Sequence, residues 1–134
     1  MKANGTPDRG QLHREEQLLL ALFSDSRNAL RKLDLPDGPP LLLCHISGDK
    51  DALRALRDDL RNRHPQPFHC LTEKAYVLLF SGNSACSDAE TVLRSAAEAF
   101  PQCTFCVGSA FHDVFSLPGE YEKLAVFADS RWFF

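Results

Sequence analysis

This sequence predicts an α+β fold: four strands in one antiparallel sheet, two helices crossing over one face, and further helices at either end. Three observations predict it. Residues 41–46 form a nearly continuous apolar run interrupted by His45, as a strand buried on both faces should. Two later stretches place apolar residues at helical spacing: Leu53, Leu56 and Leu60 in one, and Ala89, Val92, Leu93, Ala96, Ala97 and Phe100 in the other. Between them lie two short apolar runs, 68–71 and 75–80, separated by Thr72, Glu73 and Lys74, a hairpin distance. With residues 104–107 as a fourth strand the order is βαββαβ, the ferredoxin-like split unit with both crossover helices on one face.

The elements follow in order. Residues 1–10 are polar, contain Gly5, Pro7 and Gly10, and read as a disordered leader or expression remnant. Residues 11–134 then form one domain, with N-terminal helices at 11–35, the ferredoxin-like core at 40–110 and a closing helix at 117–134. Leu12, Leu18, Leu19, Leu22 and Phe23 alternate with charges at Arg14, Glu15 and Glu16, which fits a helix; Asp25 or Ser26 can cap a short second one. The proline- and glycine-rich run at 35–40 ends it. Asp49 or Asp51 can cap the helix carrying Leu53, and Pro65 and Pro67 stop it. A loop is expected at Gly82, Asn83 and Ser84. Ser87 with Glu90 then reads as a capping box opening the next helix, which Pro101 ends. After Pro118 a last helix turns Tyr121, Leu124, Ala125 and Ala128 inward.

Composition excludes several classes. The chain has 134 residues and a net charge of −3, so it lacks the basic face that phosphate contacts need. Its longest apolar run, 18–23, is far short of the ~20 residues needed to cross a bilayer, and no export signal opens it. A cytoplasmic location is expected. Five cysteines, an odd number, suggest free thiols. Cys103 and Cys106 form a C-x-x-C, but on a strand residues i and i+3 point to opposite faces, so it reads as structural. Of the five histidines none forms a paired metal motif; His45 and His69, expected on neighbouring strands, read as hydrogen-bonded packing residues. Asp58 and Asp59 beside Arg57 and Arg61 read as a solvated helix face.

Three stretches carry a resemblance. Residues 14–23 run from charge into leucine and are followed by Leu33, Asp34, Leu35 and Pro36; Val107, Gly108, Ser109 and Ala110 make a glycine-containing strand end; Tyr121 precedes Arg131, Trp132, Phe133 and Phe134. In these the chain resembles the degenerate GGDEF-like regulatory domain of bacterial transcription factors. The middle segment of YesN-like AraC-family regulators comes first, with PucR/CdaR regulators second. Ser109 and Ala110 stand where a second glycine is common, and Glu120 and Leu124 depart from the usual Ser and Ala. Cyclases of this kind hold two Mg²⁺ on nucleotide phosphates with carboxylates. The resemblance sets His45, Ile46 and Ser47 at their Asp-x-Asp, and the segment from Thr72 to Tyr76 at their Gly-Gly-Asp-Glu-Phe. The acids and glycines of both motifs are replaced, and Asp49 and Glu73 alone do not make a two-metal site.

The expectation is therefore a non-enzymatic regulatory, dimerising or signal-relay domain of an AraC-type transcription factor, with no cofactor and no metal. Expected partners are a second copy and a downstream helix-turn-helix module in the parent chain, with no direct nucleic acid and no membrane. Tyr121, Arg131, Trp132, Phe133 and Phe134 are the candidate interaction or junction residues. The alternatives are a small-molecule-sensing module of the same fold and, behind it, a residual nucleotide-binding domain.

Overall fold

The computed structural model describes residues 9–24, 26–35, 37–65, 67–72 and 75–130, and the side chains of 13–126 within them. Of the leader expected at 1–10, residues 1–8 lie outside these residues and the last two belong to the first helix, α1 (Arg9–Phe23), which begins two residues earlier than expected. It is followed by α2 (Arg27–Arg31), β1 (Leu41–Ser47), α3 (Lys50–Arg63), β2 (Phe68–Leu71), β3 (Ala75–Ser81), α4 (Asn83–Ala99), β4 (Thr104–Val107), a 3₁₀ turn (Val114–Ser116) and α5 (Leu117–Ser130). The four strands form one sheet in the order β2-β3-β1-β4, every neighbouring pair antiparallel. That is the ferredoxin-like arrangement which the βαββαβ order predicts.

Side-chain alternation splits the core in two. Cys44, Ile46, Tyr76, Leu78 and Phe80 face the crossover helices and pack with Leu53, Leu56 and Leu60 of α3 and Ala89, Leu93 and Ala96 of α4. Leu41, Leu43, Phe68, Cys70, Val77 and Leu79 face the other way, onto Leu18, Ala21 and Leu22 of α1, Leu30 after Ser26, and Leu117 and Leu124 of α5. Helices on both faces explain why β1 and β3 read as continuous apolar runs rather than alternating ones, although the sheet is antiparallel.

Ser26 caps α2 by accepting the Ala29 N–H, and Asp49 caps α3 by accepting those of Asp51 and Ala52 at 2.9 and 3.1 Å. Asp25 lies outside the described residues. The capping box was misplaced: α4 starts at Asn83, so Asn83 and Ser84 are helical and Ser87 lies exposed inside the helix. Gly82 makes the entry instead. It sits at φ 95°, donates its N–H to the Pro40 carbonyl at 2.9 Å, and a Cβ there would come within 2.7 Å of Asp37 Cβ. Backbone turning at a positive-φ glycine starts the helix one turn before the side chains that could have capped it.

His45 and His69 are not on neighbouring strands: β3 lies between β1 and β2. They also face opposite ways, His69 onto Tyr76 and His45 onto Tyr121 of α5. Arg61 likewise departs from the solvated face expected of it. It is buried and pairs with Glu15 of α1. Among the described residues no helix is long and apolar enough to cross a membrane.

Candidate functional site

The register brings Ser47 at the end of β1 beside Ala75 at the start of β3 and Thr104 at the start of β4. One end of the sheet therefore gathers the two segments that would carry cyclase chemistry. Two of its polar side chains are committed to the backbone. The Asp49 carboxylate accepts two backbone N–H groups of α3. The Thr72 hydroxyl accepts the Ala75 N–H and donates to the Ala75 carbonyl, both at 3.0 Å, closing the hairpin turn. Gly48 is pressed against Cys103, whose Sγ would lie 3.0 Å from a Cβ there. Glu73 and Lys74 lie outside the described residues. Among the described residues no three His, Cys, Asp or Glu side chains are placed to hold a metal ion. Among the described residues the donor set lacks the several convergent carboxylates that the two Mg²⁺ ions of a cyclase need.

The cysteines are free, and Cys103 and Cys106 point to opposite sheet faces, as the strand reading requires. Burial pushes every thiol up, Cys70 to about 12, so these groups stay protonated and poorly nucleophilic near neutral pH.

A polar network that sequence patterning did not reveal lies at the β2 edge. Glu15 Oε1 accepts from Arg61 Nη2 at 2.8 Å, and its Oε2 accepts the Leu71 N–H at 3.1 Å. Arg14 lies over the Phe68 ring at 4.3 Å and donates to the Pro65 carbonyl at 3.1 Å. His69 Nε2 faces the His64 carbonyl at 2.8 Å, so Nε2 carries the proton and Nδ1 accepts from the Tyr76 hydroxyl. Burial lowers the His69 pKa to about 4 and raises that of Tyr76. The cavity between Arg14, Arg61, Pro65, Pro67 and His69 is about 10 Å³, at the lower limit for one water. It is a structural clasp rather than a ligand site. The only signal in sequence was three charges ahead of a leucine run.

Of the expected junction residues, Tyr121 is half-buried, edge-on to Phe23 at 5.2 Å and tilted over His45 at 5.7 Å. Arg131, Trp132, Phe133 and Phe134 lie outside the described residues. Near Tyr121, α1 exposes Leu20 and Phe23. A shallow depression of about 360 Å³ runs along one exposed face of α4, where Arg94 already pairs with Glu90 at 2.6 Å.

The model of the GGDEF-like domain family matches residues 23–123, about three quarters of the chain. The chain belongs to the GGDEF-like domain family. No curated protein and no solved structure matches it. The match covers the whole sheet, both crossover helices and the first half of α5, whereas nearly all of α1, with Glu15 and Leu20, precedes it. In this GGDEF-like domain the helix that seals the β2 edge therefore lies almost wholly outside the matched residues.

Proposed function

We propose that this GGDEF-like domain is a non-enzymatic regulatory module that acts by self-association or signal relay. Its setting is a bacterial AraC-type transcription factor of the YesN-like kind, and the helix-turn-helix module belongs to the parent chain. The observation that carries this reading is the sheet end at Ser47, Asp49 and Thr72. There the Asp49 carboxylate caps a helix and the Thr72 hydroxyl closes a turn, and among the described residues no three His, Cys, Asp or Glu side chains converge to grip a nucleotide's metal ions. What remains is packing: two apolar cores fix one helix layer on each face of the sheet, and the α1–α5 side carries exposed Leu20 and Phe23. A shift of those helices would alter how two attached DNA-binding units are spaced. Incubation with GTP and Mg²⁺ followed by chromatography of nucleotides should show no cyclic dinucleotide, and sedimentation velocity should show a dimer. Product formation above a no-protein blank would overturn the non-enzymatic reading. A monomer at all concentrations would overturn self-association.

A further inference from the structure

The two outer strands of the sheet are treated differently. The hydrogen bond from Gly108 N–H to the Leu43 carbonyl, 3.1 Å, sets the phase of the β1–β4 ladder. Stepping by two, the N–H groups of Cys106 and Thr104 also point to β1, so Phe105 and Val107 turn their N–H and C=O groups outward. Among the described residues nothing bonds to those outward groups. On β2 the same arithmetic turns Leu71 outward, and there Glu15 of α1 accepts its N–H. Proteins usually blunt an open edge with charge, proline or a covering element. β2 is covered. β4, with Thr104, Phe105, Cys106 and Val107, has neither a charge nor a proline, and Val107 is 48% exposed.

We propose that β4 is the surface through which two copies of this domain join, antiparallel about a two-fold axis, into one continuous sheet. This rests on the self-association reading above and assigns it a place. The occupant is a second copy because the edge is complementary to itself. With the axis beside Cys106, Phe105 of each copy lies opposite Val107 of the other, and each such pair exchanges both of its backbone hydrogen bonds. Val107 then meets Phe105 of the second copy on the same sheet face, an aromatic–β-branched pair. No like charges meet at the axis, since β4 has none. Cys106 lies directly opposite Cys106 of the second copy at a non-hydrogen-bonded position. There Cα atoms are about 4.5 Å apart, within the range a disulfide spans.

The test uses the whole chain at concentrations up to about 200 µM, because dimer population depends on protomer concentration. Val107→Pro removes an outward N–H and none of the bonds to β1, so the monomer should keep its circular dichroism spectrum. Val107→Lys, which sets two like charges close to the axis, is the second variant should the first fail to fold. Diamide at alkaline pH, where the thiolate fraction rises, takes two electrons and two protons from a pair of thiols and should trap a disulfide dimer in the parent chain but not in Cys106→Ser. Sedimentation should show a dimer in the parent and in Cys106→Ser, weakened at least tenfold in both Val107 variants. A dimer untouched by either Val107 variant, with no Cys106-dependent cross-link, would overturn edge pairing and leave self-association standing. A parent chain that stays monomeric throughout would overturn both.

Discussion

Replacing Glu15 by Leu removes one carboxylate that answers two buried donors. Arg61 has a side chain only 9% exposed, and Glu15, 17% exposed, is its ion-pair partner at 2.8 Å. Stranding one member of a buried pair costs ~3–5 kcal/mol, and access of water to the more exposed Glu15 side argues for the lower end. The Leu71 N–H also loses its acceptor at an edge that α1 covers, a penalty of about 1 kcal/mol that water can partly relieve. Together these give ~3–4 kcal/mol for Glu15→Leu. With a urea m-value of about 2 kcal/mol/M, the unfolding midpoint should fall by ~1.5–2 M. Arg61→Met should cost less, about 2 kcal/mol, because it leaves Glu15 nearer to solvent and still bonded to Leu71. The double variant should be more stable than the sum of the two losses by at least about 1 kcal/mol, since an apolar pair fills the space with no stranded charge. Urea titrations followed by circular dichroism measure all four corners. Strict additivity, or a Glu15→Leu loss below about 0.5 kcal/mol, would refute the view that this pair clasps α1 to the sheet.

His69 supplies a pH dependence with a definite sign. Its folded pKa is lowered from 6.5 to about 4 by burial, so its neutral form's stabilisation is fully present above about pH 6.5 and is lost as pH falls through 4. Denaturant titrations between pH 7.5 and 4.5 should show about 2.5 kcal/mol more loss in the parent than in His69→Gln, and matching slopes would contradict it. Gly82→Ala should destabilise by ~2 kcal/mol or more, because alanine must adopt φ 95° and meet Asp37 at 2.7 Å. A thermal midpoint within a degree or two of the parent would show instead that the turn relaxes freely.

The core was legible because period carries burial. Leu53, Leu56 and Leu60, and Ala89, Leu93 and Ala96, announce their faces by spacing alone, and all are buried where expected. The strand at 104–107 and the hairpin around Thr72 were legible for the same reason, as short apolar runs between turn residues. Where the resemblance sets the cyclase metal-binding motifs, the chain has His45, Ser47 and Thr72. Helix entry at Gly82 was not legible, since the decisive quantity is a backbone angle rather than a side-chain preference. Nor was the burial of Arg61: in a local window it belongs to a run of charges, and only α1, forty-six residues away, turns that position inward.

What the sequence by itself determined is the order βαββαβ and the apolar stripes that drive it, because these depend on residue type and on periods of two and 3.6. Tertiary structure decided which edge of the sheet is closed and which is open. Both β2 and β4 are short apolar strands in sequence. They differ only because α1 lies along one and brings Glu15 to its outward Leu71 N–H, while the outward groups of Phe105 and Val107 meet no such partner among the described residues. Edge exposure belongs to the assembled sheet, since a strand's unpaired hydrogen bonds are set by its neighbours and not by its own residues.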